Sequence, residues 1–318
     1  MEIVFTTQLP LNGFSTLHAH HLLMSDTAKF ARAELERLIV NADVLVSTFD
    51  YTIDKALIEK APQLKMIANF GVGFNNIDVE SATERQIIVT NTPDPVVEPT
   101  AEQTFTLMLA IAHRTAELDR KMRQTDDVKI GVMNNLGISV YGKTLGIIGM
   151  GRIGQSVARR ANASGMKIIY HNRRQLDAHT EKMCEATYAT FDELLAQSDF
   201  ISLHVPYHSE SHHLLDEAAF QKMKTGATII NTSRGAVIDE KALIKQLKNG
   251  KLWGAALDVF ENEPLISPEL FTLDNVVMSP HIGTGTIDGR LAMCESVATN
   301  ILNFEKGLFA KLNWVNKF

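Results

Sequence analysis

The sequence predicts an α/β chain of two doubly wound domains, each a parallel sheet with helices on both faces. Three observations lead there. Its strand-like runs, such as Val44 to Ser47 and Ala227 to Asn231, are short and continuously apolar, which marks strands covered on both sides. They alternate with helix-like segments long enough for crossovers between parallel strands. At 318 residues the chain can also bury two cores of ordinary size.

Through residue 97 the predicted strands are Ile3 to Thr7, Val44 to Ser47, Lys65 to Phe70 and Ile87 to Thr90. Helices over Ala28 to Val40, Ala56 to Ala61 and Val79 to Arg85 separate them. Gly71-Val-Gly73 follows the third strand and reads either as an ordinary turn or as a backbone site for an anion. One long apolar helix is expected from Glu98 to Arg123, opening with Pro99 near its start, and a polar loop from Gln124 to Asn135. Its apolar character suggests burial on several sides and a subunit interface.

A second alternating series begins at Gly142. The run Thr144 to Ile148 is followed by Gly149, Gly151 and Gly154, and then by a helical stretch. Strand, tight turn and helix with glycines at that spacing form a dinucleotide fingerprint. The first glycine turns the chain, the second lets a pyrophosphate approach, and the third packs helix on strand. The helix N-terminus offers N–H groups to phosphate. Strands follow at Met166 to Tyr170, Asp199 to Val205, Ala227 to Asn231, Gly254 to Asp258 and Asn275 to Met278. Helices near Phe191 to Ala196, Glu217 to Met223 and Glu240 to Asn249 lie between them. A last helix from about Gly289 to Phe304 returns the chain to the first domain, which is therefore discontinuous: 1–97 plus 287–318, with 98–286 inserted. Two crossings make a hinge around a cleft.

Composition excludes several classes. No apolar run is long enough to span a bilayer, and the N-terminus opens on an acid and a strand, without a leader pattern. Two cysteines, Cys184 and Cys294, form no disulfide framework and suit a reducing cytoplasm. A net charge of -6 disfavours a nucleic-acid binder and favours a small-molecule ligand. The histidine cluster at Leu17-His-Ala-His-His21 matches no standard metal spacing and reads as surface. No metal is expected.

Arg234, Asp258, Glu263 and His281 each follow the carboxyl end of one of three successive predicted strands, the edge where open α/β sheets hold ligands. A basic group, acids and a histidine converging there suit acid–base catalysis.

With these residues, Gly71-Val-Gly, Asn75-Asn-Ile-Asp, Asn91-Thr-Pro, Gly142-Lys-Thr-Leu-Gly, Asn231-Thr-Ser-Arg-Gly, Ala256-Leu-Asp-Val-Phe and Pro280-His-Ile-Gly complete a pattern covering nearly the whole chain. It resembles the D-isomer-specific 2-hydroxyacid dehydrogenases, a family that includes glyoxylate, hydroxypyruvate and 2-ketogluconate reductases, D-lactate dehydrogenases and phosphoglycerate dehydrogenases. The resemblance implies a Rossmann cofactor domain inserted in a flavodoxin-like substrate domain, and reduction of a small 2-oxoacid by NAD(P)H. It assigns the substrate carboxylate to Arg234 and to the backbone of Val72 and Gly73, the general acid to His281, and its orientation to Glu263. A carboxylate hydrogen-bonded to imidazole stabilises its charged form. The cofactor would be held by Gly149, Gly151, Arg152, Ile153 and Gly154, by Asn172, Arg173 and Arg174, and by Val205, Pro206, Thr232, Ser233, Asp258 and Gly283.

Asn172 stands where many relatives carry an acid for the adenine ribose, and Arg173 and Arg174 follow it, so NADP is expected over NAD. No tryptophan occurs from 115 to 141, where many glyoxylate and hydroxypyruvate reductases carry one, which leaves the 2-oxoacid open. The chain ends at Phe318 without the regulatory domain of longer phosphoglycerate dehydrogenases, which disfavours that alternative. Another alternative is a nucleotide-sensing, corepressor-like binding protein, disfavoured by the lack of basic extensions. The expectation is a cytoplasmic homodimeric enzyme that meets neither nucleic acid nor membrane.

Overall fold

The computed structural model describes residues 1–125 and 128–318. It divides into two compact units, Met1–Val96 with Thr284–Phe318, and Val97–Gly283.

The first unit is built on a parallel sheet of five strands, β1 Glu2–Phe5, β2 His21–Leu23, β3 Val44–Thr48, β4 Met66–Phe70 and β5 Ile88–Thr90, in the order β2-β1-β3-β4-β5. Alternate side chains feed two cores. Val4, Leu45, Ile67 and Val89 face α1 Arg32–Leu38, α2 Lys55–Glu59 and α3 Val79–Glu84. Ile3, Phe5, Val46 and Met66 face the C-terminal helix Ile287–Glu305 and the short 3-10 segment Leu11–Leu17. Asp54 and Asp78 begin α2 and α3, their carboxylates accepting the Leu57 and Ser81 N–H groups. Leu17 is fully buried, and the His20 side chain is only 6% exposed, its Nε2 3.4 Å from Glu305. His18, Ala19 and His21 are exposed, so the cluster lies at the surface as expected, with Leu17 and His20 alone covered.

The second unit carries seven parallel strands: β6 Thr144–Ile148, β7 Lys167–His171, β8 Ala186–Tyr188, β9 Phe200–Leu203, β10 Ala227–Asn231, β11 Leu252–Leu257 and β12 Val276–Met278. Their order is β12-β11-β10-β9-β6-β7-β8, so the direction of winding reverses between β6 and β9. On one face, α4 Val97–Ala112 and α6 Arg152–Ala163 cover Leu145, Ile147, Phe200 and Ile230. On the other, Ile148, Ile201, Ile229 and Ala255 meet α8 Phe191–Gln197, α9 Glu217–Lys222 and α10 Glu240–Lys248. Helix α7 Ala178–Met183 precedes the edge strand β8.

The single helix expected from Glu98 to Arg123 is in fact two, α4 and α5 Thr115–Gln124. Arg114 adopts a left-handed φ of 56° between them. The cause lies downstream: the Ile138 N–H donates to the Ala112 carbonyl at 2.8 Å, capturing an acceptor at the end of the helix. Gly137 lies so close that a Cβ there would come within 2.4 Å of the same oxygen. Only α4 is apolar, and α5 buries Glu117 alone, bonded to Arg114 and Lys121. Of the expected loop Gln124 to Asn135, Asp126 and Asp127 lie outside the described residues.

Candidate active site

The turn after β6 has the form a dinucleotide needs. Gly149 is at φ 95°, and a Cβ there would come within 2.7 Å of the His204 backbone. At Gly154 a Cβ would lie 2.5 Å from the Gly149 carbonyl oxygen, so close packing of α6 on the turn forbids a side chain. Gly151 is different: no protein atom lies within 4 Å of a Cβ placed there. The open space at the head of α6, whose first turn has no side-chain cap, is what an approaching pyrophosphate would fill. These residues fit the cofactor.

Asn172, beyond β7, acts on this turn directly. Its Oδ1 accepts the Met150 N–H at 2.7 Å, a brace that the sequence does not reveal. The Arg173 side chain is 81% exposed and lies 3.6 Å from Glu210, and Arg174 is also exposed. After β9, Val205 packs against the Gly149 turn and the Pro206 carbonyl accepts from Ser211. Thr232 and Ser233 are buried: Thr232 Oγ1 bonds Thr104 on α4 and Ser233 Oγ bonds Asn231. The Ser233 backbone is engaged as well, its N–H donating to Asn231 Oδ1 at 3.0 Å.

The strand-end groups form a connected arrangement. His281 Nδ1 and Glu263 Oε2 are 2.8 Å apart, and the Phe260 N–H donates to Glu263 Oε1 at 2.9 Å. Burial opposes ionisation of Glu263, but His281, the Phe260 N–H and the Arg234 guanidinium outweigh it and hold the carboxyl below its ordinary range. Arg234 itself is partly buried; desolvation disfavours its charge and Glu263 partly offsets that. Its Nη1 donates to the Ser233 carbonyl at 2.7 Å.

Asp258, expected among the residues that hold the cofactor, is 1% exposed, and its carboxylate is engaged by the loop that carries His281. Ser279 Oγ and the Ile282 N–H donate to Oδ1, the Gly283 N–H to Oδ2, and the His281 N–H to the Asp258 carbonyl. Burial raises its carboxyl above the usual range against those bonds. Held this way, His281 takes a φ of 52°, a left-handed conformation uncommon for histidine. Gln103 on α4 extends the network, donating to Ser279 Oγ at 3.1 Å. No local pattern could have found a residue 176 positions away.

In the first unit, the Gly71 to Gly73 turn has its carbonyls tied back. Asn69 Nδ2 donates to Gly71 and Gly73, and Asn91 Nδ2 to Val72. The Val72 and Gly73 N–H groups bond no carbonyl or side chain among the described residues, which leaves donors for an anion.

A doubly wound sheet with a dinucleotide turn at its winding reversal, and with an arginine and a carboxylate–imidazole pair at its strand ends, defines a nicotinamide-dependent oxidoreductase. Residues 105–283 match the family model described as D-isomer specific 2-hydroxyacid dehydrogenase, NAD binding domain. A glyoxylate reductase of Thermococcus litoralis is 45% identical, over 99% of this chain and 97% of its own. Among solved structures, a glyoxylate reductase from Paecilomyes thermophila superposes with a TM-score of 0.87 at 34% identity, over 96% of both chains. An NADPH-dependent glyoxylate/hydroxypyruvate reductase from Sinorhizobium meliloti gives 0.87 at 28%, over 100% of this chain and 99% of that one. The chain belongs to the D-isomer-specific 2-hydroxyacid dehydrogenase family. It is an NAD(P)-dependent enzyme that reduces 2-oxoacids to D-2-hydroxyacids. No helix among the described residues is long and apolar enough to cross a membrane.

Proposed function

We propose that the enzyme reduces glyoxylate, or a 2-oxoacid little larger, with NADPH, using Arg234, Glu263 and His281. The carrying observation is the 2.8 Å contact of His281 Nδ1 with Glu263, which leaves proton delivery to Nε2. When bound, the nicotinamide supplies a hydride to the carbonyl carbon. His281 gives the proton to the carbonyl oxygen, and Glu263 stabilises the imidazolium beforehand. Arg234 takes the carboxylate and polarises the oxygen. Glyoxylate is preferred as substrate because the glyoxylate reductases of Thermococcus litoralis and Thermococcus onnurineus are 45% and 41% identical. Oxidation of NADPH with glyoxylate, hydroxypyruvate, pyruvate and 2-ketogluconate tests this. Failure to turn over glyoxylate, with activity on a bulky 2-oxoacid alone, overturns the substrate assignment.

NADPH is the proposed cofactor because Arg173 and Arg174 follow a residue without charge, so nothing at Asn172 repels a 2′-phosphate. One charge-assisted hydrogen bond contributes about 1.5–3 kcal/mol, so NADPH should exceed NADH at least tenfold in kcat/KM. Serine at both positions should remove most of that ratio. Equal efficiency with NADH in the unaltered enzyme would refute it.

A homodimer is the proposed assembly. Ile130, Val132 and Met133 are 98%, 93% and 79% exposed, three large apolar side chains in one short segment. A second copy of the chain is the cover proposed for them. Sedimentation should give twice the chain mass, and Val132→Asp with Met133→Asp should shift it toward monomer. A monomer at micromolar concentration in the unaltered enzyme rejects the assembly. Both cysteines are unpaired and buried, consistent with the cytoplasmic setting we assign.

A further inference from the structure

Outside the groups that face the substrate, one histidine–carboxylate hydrogen bond joins three of the loops that build this edge of the sheet. His213 Nε2 lies 2.6 Å from Glu261 Oε1, with both side chains largely covered. His213 belongs to the segment after β9, downstream of Val205 and Pro206, and Glu261 to the loop after β11, two residues before Glu263. The second oxygen of Glu261 accepts the Glu240 N–H at 3.1 Å. The Glu240 carboxylate accepts the Glu261 N–H in return at 3.1 Å, and Ser267 Oγ at 2.5 Å. Glu240 heads α10, which follows the Arg234 loop, and is only 6% exposed. The backbone seals the same joint. The His213 N–H donates to the Ala236 carbonyl at 2.9 Å, and a Cβ at Gly235 would come within 1.9 Å of the Phe260 carbonyl group.

We propose that His213 and Glu261 are positioning residues for the reduction, a brace that fixes the Arg234 loop against the loop carrying Glu263. The inference rests on the roles given above to Arg234, Glu263 and His281. The path is short: the Glu261 side chain ties Glu240 to His213, the Glu240 carboxylate in turn holds the N–H of the Phe260–Glu261 peptide, the neighbouring Phe260 N–H holds Glu263 Oε1, and Glu263 Oε2 holds His281. Gly235, next to Arg234, rests on the same peptide. A shift of that peptide would move the carboxylate-binding group and the proton donor relative to each other, and proton transfer and hydride transfer depend on their alignment. Neither His213 nor Glu261 needs to touch substrate for this.

Hydrogen-bonded geometry, and not net charge, is the property required. Glutamine at 261 can keep it, with its amide oxygen accepting from the Glu240 N–H and its amide nitrogen donating to a neutral imidazole. Alanine cannot. The test compares Glu261→Ala, Glu261→Gln and His213→Ala by steady-state reduction of glyoxylate at saturating NADPH, with NADPH affinity and melting temperature measured on the same preparations. Both alanine variants should lose roughly 10- to 100-fold in kcat, the scale of a small misplacement. They should stay folded and bind NADPH within about twofold of the parent, and Glu261→Gln should recover most of the rate. Combining Glu261→Ala with Glu263→Gln should cost little more than the larger single loss, because both act through one carboxylate. Undiminished kcat in Glu261→Ala, or a Glu261→Gln enzyme as slow as the alanine variant, overturns the brace. If Glu263→Gln alone behaves as the parent while Glu261→Ala is slow, the assigned role of Glu263 fails and the brace acts by another route.

Discussion

His281→Ala should lose roughly 10²- to 10⁴-fold in kcat for 2-oxoacid reduction, the usual contribution of a positioned acid or base, while NADPH binding stays near normal. The loop needs its own control, because His281 sits at φ 52° and its conformation comes from the Asp258 bonds. His281→Asn supplies it, since asparagine tolerates the left-handed region better than alanine and has no proton to give. Equal losses in the two variants place the effect on the missing imidazole. Glu263→Gln then tests why the proton is available. The glutamine can still pair with Nδ1 but brings no negative charge to the imidazolium, so kcat for reduction should fall. Glu263 is held below its ordinary range, so its carboxylate persists as pH falls through the usual carboxylate region. A full-rate His281→Asn enzyme, or a Glu263→Gln enzyme of undiminished kcat, would place the proton source elsewhere.

What the sequence discloses here is what local constraint writes into it. The turn at Gly149, Gly151 and Gly154 is legible because the three glycines stand at fixed spacing in one strand–turn–helix unit, although the crowding at Gly149 comes from His204 beyond β9. The parallel sheets are legible because their strands are buried on both faces and lose polar alternation. Features decided by distant partners are not. The break between α4 and α5 depends on the Ile138 amide, and no composition around Arg114 announces it. Strands β2 and β8 are only partly buried and carry no continuous apolar run, unlike the equally short edge strands β5 and β12. Asn172 reads as an absent acid in the sequence, whereas in the fold it also braces the glycine turn. Asp258 lies in a motif that places it at the site, but only the coordinates of Ser279, Ile282 and Gly283 reveal that it builds the histidine loop.

Arg234→Ala should be the more severe loss in kcat/KM, about 10³-fold or greater, because one side chain is asked to do two things. In the proposed roles it holds the substrate carboxylate, a charge-assisted contact whose removal should raise KM. It also faces negative charge developing on the carbonyl oxygen, and removing one such donor costs about 10²- to 10³-fold in kcat. Lysine should recover only part of this, since it restores a charge without the planar fork. A third consequence follows from the position of Arg234 among the groups that keep Glu263 ionised. Without the guanidinium, the Glu263 carboxyl rises toward its ordinary range, so the acid fall of the rate in Arg234→Ala should move to higher pH. Burial already disfavours the Arg234 charge, and Glu263 offsets that only in part. Removing the arginine should therefore leave the melting temperature of the free enzyme unchanged or raised. Added guanidinium should restore part of the Arg234→Ala rate and do nothing for the parent. A variant with unaltered KM for glyoxylate, no response to guanidinium and an unshifted acid limb would show that another group takes the carboxylate.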